Sequence, residues 1–260
     1  MKDISRSVGV HICILLLFTL CYAYWGYLQS TADKNTLFHY YFNVVTSSVY
    51  LAGGILSFIL YKRTQSSSLK NALLSFFIGL LSYAAAGFVW SYYNIYLRAP
   101  IPYPSIADAF YLAYPLCVGI GFWYLLDYLN VQPTKTNIKL SLIIVFLVYL
   151  CVFFIFMKPE IGDDVPLLAR VLGYAYPLSD AFLLTLAILA FTSVGTIGFG
   201  MGSLIASITA LAVGDMLFTY RQGVGIYWNG DVSDLFFLVS AFFMMVGIHR
   251  IATSYHKHTE

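Results

Sequence analysis

Charged residues are scarce in this sequence, where Asp, Glu, Lys and Arg together make up 10% of 260 residues. The formal net charge is only +2, whereas a protein that binds nucleic acid usually carries a strongly basic patch. Hydrophobic residues instead make up 60% of the chain. An average soluble domain has about 45–50%. The composition therefore indicates a protein that has the lipid bilayer as its solvent, and it predicts no nucleic-acid partner.

Reactive sequence motifs are also absent. The four cysteines lie inside apolar runs and form no Cys-x-x-Cys pair, which predicts buried thiols rather than disulfides or zinc ligands. There is no Gly-rich phosphate loop, no serine nucleophile elbow and no His-Glu-x-x-His motif. We therefore assign no catalytic residue and no metal ligand from the sequence, and the cofactor, if there is one, stays unknown.

Long apolar runs are what the sequence does contain. Runs of about 20 residues, long enough to cross the hydrocarbon layer as a helix, occur eight times. We predict an all-α, polytopic integral membrane helix bundle of about eight transmembrane helices, with a weak 4+4 repeat relating helices 3–4 to helices 7–8. It forms a single multi-pass domain over residues 1–260. The predicted spans are 8–28, 39–61, 71–97, 106–127, 137–157, 167–191, 198–219 and 233–252.

Lys and Arg residues predict the orientation. With the amino terminus inside, nine of the 14 Lys and Arg residues fall in cytoplasmic segments and five in outer loops. The positive-inside rule then predicts a cell-membrane protein with both termini in the cytoplasm. On this topology 18 of the 26 Tyr and Trp residues lie in the outer half. This asymmetry exceeds a two-sided aromatic belt, so we expect some of these rings to line a cavity.

Acidic residues recur at the predicted outer ends of the helices. Asp108, Asp180 and Asp234 each follow a small residue and precede a Phe at offset two and a Leu at offset four. Asp215 falls near the same end because its helix runs in the opposite direction. An Asp at the bilayer centre costs about 2.5–3.5 kcal/mol, so such residues usually face a bundle interior or a cavity. We predict that the four acids converge in one ligand-binding pocket with polar and aromatic neighbours, namely Asn43, Trp90, Tyr111, Tyr114 and Tyr176.

Some of these acids have simpler explanations. Helix capping explains Asp108 and Asp234 equally well, because both stand near a helix start. Asp231 and the Asp163-Asp164 pair are interpreted as solvated loop charges. Pro115 and Pro177 are expected to break or kink helices 4 and 6 beside the acidic motif.

Two kinds of chemistry suit the predicted pocket. Paired carboxylates with water permit acid–base hydrolysis or proton relay. Carboxylates beside Tyr and Trp rings suit a cationic or amphipathic ligand, which they hold by charge pairing and cation–π contact. A calcium or magnesium site made only of oxygen ligands is less well supported.

The segment Pro-Ser-Ile-Ala-Asp-Ala-Phe-Tyr-Leu-Ala-Tyr-Pro at 104–115 resembles part of a bacterial membrane domain family. These are the multi-pass sensory domains that precede diguanylate cyclase and phosphodiesterase modules, and Tyr-Pro-Leu-Ser-Asp at 176–180 is similar too. The likeness spans roughly residues 70–250. It implies a sensory or ligand-binding module with Asp108, Asp180, Asp215 and Asp234 at the matching polar positions. Those proteins continue into a cytoplasmic catalytic domain, whereas this sequence ends at Glu260, so we expect signalling through a separate cytoplasmic protein.

Three functions follow from these patterns, in order of preference. The first is a non-enzymatic membrane sensor or binding module, whose partners are the bilayer and a small-molecule or lipid ligand. The second is a lipid hydrolase of the lysoplasmalogenase type. Lysoplasmalogenases also have eight helices, and the Gly214-Asp215 dipeptide is a weak likeness to them. The third is a cation- or proton-coupled transporter, suggested by the expected helix breaks and the repeat. Whether the protein is an enzyme stays open.

Overall fold

The computed structural model describes residues 2–152, 166–193 and 198–255, and all regular elements in these ranges are helical. The eight α-helices are α1 (Lys2–Ser30), α2 (Leu37–Arg63), α3 (Ser67–Ser91), α4 (Ile106–Tyr128), α5 (Lys135–Val152), α6 (Leu167–Ser193), α7 (Phe199–Gly223) and α8 (Val232–Tyr255). A π-helical stretch, Tyr92–Leu97, continues α3. The predicted all-α fold is confirmed.

Seven of these helices are long and apolar enough to cross a membrane: Val8–Ser30, Leu37–Arg63, Ser67–Leu97, Ile106–Tyr128, Leu167–Ser193, Gly200–Gly223 and Val232–Thr253. The remaining predicted span, 137–157, is the fifth in chain order, and the structure describes it only as far as Val152 at the end of α5. The rest of that span and the Asp163-Asp164 pair lie outside the described residues. The chain is a multi-pass membrane protein.

The helices pack in a connected order that follows the chain. α2, α3 and α4 form one group of neighbours, and α7 and α8 form a second group that joins the first through α2 and α8. α6 lies between α4 and α7, α5 packs on α6, and α1 packs on α8 and α2. The loops 31–36, 98–105 and 224–231 lie at one end of the bundle, which we call the pocket end. The loops 64–66 and 129–134 lie at the opposite end.

The two prolines do not interrupt their helices. α4 runs continuously through Pro115, and α6 runs continuously through Pro177. A proline removes one backbone donor from the helical ladder, but the turns before and after it keep their own hydrogen bonds. The expectation of a helix break at these two positions is therefore wrong, whereas a kink at either proline stays a prediction. The transporter hypothesis loses the argument that was based on broken helices.

Candidate functional site

One cavity of about 500 Å³ lies at the pocket end, and all nine residues predicted as a ligand site are among its lining residues. Six helices contribute them. α2 and α3 supply one residue each, α4 three, α6 two, and α7 and α8 one each: Asn43, Trp90, Asp108, Tyr111, Tyr114, Tyr176, Asp180, Asp215 and Asp234. The structure thus brings the nine side chains to one place, while their role in binding stays a prediction.

Asp108 caps α4 and joins it to α6. Its Oδ2 atom accepts hydrogen bonds from the Ser105 backbone N–H at 2.6 Å and from the Ser105 hydroxyl at 3.1 Å. Ser105 is the N-cap residue, so the two residues form a capping box. The other carboxylate oxygen, Oδ1, accepts the hydroxyl hydrogen of Tyr176 in α6 at 2.7 Å. Both oxygens of Asp108 are therefore bonded within the protein.

Asp234 has a similar structural role at the start of α8. Its Oδ2 atom accepts the backbone N–H of Gly230 at 2.5 Å, and the Tyr227 hydroxyl lies 3.2 Å from each oxygen. Gly230 has a φ of +91°, a conformation that favours glycine. Burial and the nearby Asp234 carboxylate raise the pKa of the Tyr227 hydroxyl well above its usual value, so it stays protonated and can donate.

Asp231 is not a solvated loop charge, and that prediction is wrong. The residue is fully buried, and its Oδ1 atom accepts the Ser233 backbone N–H at 2.7 Å and the Ser233 hydroxyl at 2.8 Å. Its Oδ2 atom forms an ion pair with Nε of Arg221 in α7. The side chains of Trp25 and Gln29 in α1 donate to the backbone of the same loop, which keeps water away from it. Asp231 thus caps α8 and ties α7 to it.

Asp180 and Asp215 form the exception among the cavity acids. Asp180 stands 13 residues after the first residue of α6, and Asp215 stands 16 residues after the first residue of α7, so neither caps a helix. Both side chains line the cavity, and they interact with each other across the two helices. These two are the cavity acids that no backbone N–H binds in the described ranges.

A cluster of four tyrosines lies beside this carboxyl pair. The rings of Tyr50 and Tyr83 stack with centroids 3.8 Å apart, and Tyr83 meets Tyr111 and Tyr114 edge to face at 5.1 and 5.2 Å. Asp215 is within electrostatic range of all four. Sequence reasoning missed Tyr50 and Tyr83. Helical spacing could have identified them, because residues seven apart lie on the same face of a helix, two turns from each other. Tyr50 follows Asn43 by seven residues, and Tyr83 precedes Trp90 by seven.

Asn229, in the loop between α7 and α8, was also missed. Its Oδ1 atom accepts from Nδ2 of Asn43 at 2.5 Å and from Nε1 of Trp90 at 3.0 Å. Asn43 and Trp90 therefore donate to a loop side chain that is not itself among the lining residues. The ring of Phe218 packs edge to face against Trp90 and Tyr227, with centroid distances of 6.0 and 4.8 Å. No motif marks Asn229 in the sequence, since its role depends on three segments meeting.

Two further polar residues line the cavity. Thr46 in α2 is 7% exposed, and its hydroxyl forms no hydrogen bond with the part of the chain that the structure describes. Arg170 is the one basic side chain among the lining residues that the structure describes. It precedes Asp180 by ten residues, about 15 Å along the helix axis at 1.5 Å per residue. Among the described residues, no group of three or more His, Cys, Asp and Glu is placed to hold a metal ion.

The fold and this site define a multi-pass helical membrane protein with an acidic, aromatic cavity at one end of its bundle. Comparisons with protein-family models, with curated proteins and with solved structures found no match. The likeness to the membrane sensory domains stays a prediction from the sequence.

Proposed function

We propose that the protein is a membrane-embedded ligand-binding module of the sensory kind, with its pocket at the outer side of a cell membrane. The observation that carries this proposal is the position of Asp180 and Asp215, two acids that cap no helix, on the wall of a cavity of about 500 Å³. Pockets for small molecules commonly measure about 300–1,000 Å³ and combine an apolar wall with a few polar groups. This cavity fits that description in size and composition.

The unused polar groups of the wall support a binding role. A buried polar group without a partner costs about 1–3 kcal/mol, so a structural site normally satisfies all of them. Asp108, Asp234 and Asp231 are satisfied in this way within the protein. The Thr46 hydroxyl has no partner among the described residues, and a bound molecule would supply one. Asp180 and Asp215 accept no backbone N–H in the described ranges, so their oxygens can also bond to such a molecule.

The position of α6 suggests how an occupied pocket could be sensed. α6 packs between α4 and α7, and it carries Tyr176 and Asp180 into the cavity. A ligand shifts an equilibrium between two helix arrangements by as much as it prefers one of them. On this proposal, a ligand that bridges α6 and α7 favours one packing of α6, and a cytoplasmic signalling protein reads the change at the opposite end.

Native mass spectrometry of the gently extracted protein, with lipid analysis of the co-purified molecules, tests the proposal. We expect one retained small molecule or lipid in the wild type and its loss in Asp180→Asn and Asp215→Asn. Asp33→Asn is the matched control, because Asp33 lies at the same end but does not line the cavity. An empty wild-type protein, or a molecule retained equally in all variants, would contradict the proposal.

A blocking substitution provides an independent variant if the Asp changes disturb folding. Gly173 lines the cavity, and a Cβ added there would meet no atom within 4 Å. Gly173→Trp should therefore fill the cavity and expel the molecule, whereas Gly173→Ala should retain it. Loss of the molecule in Gly173→Ala as well would point to a general defect rather than to occlusion.

A lipid hydrolase is the second candidate function. Two carboxyl groups in contact can act as an acid and a base on a bound ester or ether with water, which is the arrangement that the Asp180–Asp215 contact provides. Incubation of the purified protein with lysophospholipid and lysoplasmalogen distinguishes the two candidates. Turnover that disappears in Asp180→Asn would establish the hydrolase, and stable retention of an unaltered molecule favours the binding module.

A further inference from the structure

The charge of the cavity wall limits the chemistry of the ligand. Among the described residues, the lining includes four carboxyl groups and one guanidinium group, so this part of the wall is acidic. Asp108 and Asp234 are bonded to backbone amides, which leaves Asp180 and Asp215 to face the cavity contents. We propose that the cavity binds an organic cation, in which an amine or quaternary ammonium group lies against Asp180 and Asp215 and an apolar body fills the rest. This inference rests on the proposed binding function.

A cation would complete the bonding of the carboxyl pair. Two neighbouring carboxylates repel each other, and a cation placed against both of them removes that repulsion. A protonated amine can donate one N–H to each carboxylate, and charge-assisted hydrogen bonds of this type are about twice as strong as neutral ones. A quaternary ammonium group has no N–H and pairs with the two carboxylates by charge alone. A neutral alcohol can donate one hydrogen bond to the pair but brings no compensating charge. The pair therefore favours a positively charged group over an uncharged one of the same shape.

The aromatic side chains favour the same ligand class. Ten of the 34 lining residues are Tyr, Trp or Phe, and ring faces attract cations within about 6 Å of the centroid. Tyr111 lines the cavity, and its ring meets that of Tyr83 edge to face with centroids 5.1 Å apart. Tyr83, Trp90 and Phe218 form other parts of the wall. Rings combined with carboxylates are the usual receptor for alkylated ammonium groups, whose charge is spread over methyl groups.

Thr46 supplies an independent indication that the cavity holds a polar molecule. Its hydroxyl is buried, lines the cavity and has no hydrogen-bond partner in the described ranges. A threonine in a helix can usually bond to the carbonyl four residues earlier, so an unused hydroxyl is available to a ligand. A bare metal ion would not suit the site, because about 500 Å³ is far more than a coordinated ion occupies.

Three probes with one carbon skeleton test the sign of the ligand charge. The purified full chain in an uncharged detergent is titrated calorimetrically with three probes. They are 2-naphthylethylamine, which is a cation, 2-naphthylethanol, which is neutral, and the anion of 2-naphthylacetic acid. We expect the amine to bind at least about tenfold more tightly than the alcohol and the carboxylate to bind most weakly. The double variant Asp180→Asn/Asp215→Asn should bring the ratio of amine to alcohol affinity to about one, and Asp33→Asn should leave it at about ten. Gly173→Trp should weaken all three probes.

The outcomes separate the inference from the proposed function. Equal affinity for amine and alcohol, no binding of any probe, or a ratio that persists in the double variant would each overturn the cation inference. If the molecule that co-purifies is neutral or anionic and is lost in Gly173→Trp, the binding function stands while the cation inference falls. If no molecule co-purifies with the protein and Gly173→Trp changes the affinity of no probe, the binding function and the cation inference are both wrong.

The ammonium group could belong to a free amine or to a lipid headgroup, and a competition experiment distinguishes these sources. Phosphatidylcholine and phosphatidylglycerol are added in turn to the micelles during titration with 2-naphthylethylamine. If the choline headgroup occupies the cavity, phosphatidylcholine should lower the apparent affinity in the wild type but not in the double variant. If both lipids leave the affinity unchanged, the occupant is a free amine.

Discussion

The carboxyl groups at the pocket end differ in what they bond to, and this difference decides what each can do. Asp108 and Asp234 both stand in the first turn of a helix and accept backbone hydrogen bonds, although they also line the cavity. Asp180 and Asp215 lie deep within their helices, where all backbone donors are already used by the helical ladder. Asp180 and Asp215 line the cavity instead, where their side chains interact with each other. Capping therefore explains the positions of Asp108 and Asp234, and it does not explain the positions of Asp180 and Asp215, whose role in binding stays a prediction.

Asp231 provides a prediction at the residue scale. Asp231→Ala removes the N-cap acceptor of α8 and leaves Arg221 without its carboxylate, so we expect a loss of about 2–4 kcal/mol in the free energy of unfolding. Asp231→Asn keeps an oxygen for Ser233 and should cost less. Unfolding in mixed detergent micelles measures both, with Asp33→Ala expected to change stability by less than about 0.5 kcal/mol. Equal losses for the Ala and Asn variants would show that the cap contributes nothing.

Helix packing in this bundle depends on close approach at particular glycines. A Cβ added to Gly247 in α8 would lie 2.5 Å from Cδ2 of Leu204 and 3.0 Å from the carbonyl oxygen of Gly200, both in α7. Leu204 is fully buried and the carbonyl belongs to the backbone, so neither can move easily. Small residues at such positions let membrane helices pack closely, where there is no hydrophobic driving force between them.

The α7–α8 contact gives a prediction at the element scale. Gly247→Ala should destabilise the protein by about 1–3 kcal/mol, the usual cost of an extra carbon in a packed interface. Gly26→Ala is the matched control, because Gly26 is also helical and a Cβ there would meet no atom within 4 Å. That variant should be neutral or gain about 0.5–1 kcal/mol from the lower backbone entropy of alanine. Thermal and chemical unfolding of the pair measures the difference, and equal effects would refute the packing argument.

The orientation of the bundle is a property of the whole molecule. The loop 31–36 lies at the pocket end and the loop 64–66 at the opposite end, so one residue from each reports the side on which that end lies. If both termini are cytoplasmic, as the distribution of Lys and Arg predicts, the pocket end is on the outer side.

Cysteine labelling checks this orientation in intact cells. Ala32→Cys and Gln65→Cys are both exposed loop positions and are introduced one at a time after the four native cysteines are replaced. A membrane-impermeant maleimide should label Ala32→Cys in intact cells and Gln65→Cys only after permeabilisation. The reverse pattern would place the pocket end in the cytoplasm and would remove the outer-side part of the proposed function.

The helices themselves follow from the sequence. Each predicted span agrees with a helix of the structure to within a few residues where that helix is described; for example, 106–127 was predicted and α4 is Ile106–Tyr128. A long apolar run in lipid must satisfy its own backbone groups, and a helix does this within the segment. The same local chemistry placed Asp108 and Asp234 near helix starts.

Only the tertiary structure determined which side chains meet and which are buried. Asp231 looked like a solvated loop charge because burial by Trp25 and Gln29 of α1, more than two hundred residues away, leaves no trace near Asp231 in the sequence. Asn229 and the Asp180–Asp215 contact likewise depend on which helices are neighbours. Local hydrogen bonds fix a helix, whereas the neighbours of a lipid-embedded helix are selected by small shape differences spread over many residues. The apolar runs therefore determined the helices, and packing between them decided the cavity and the acids that face it.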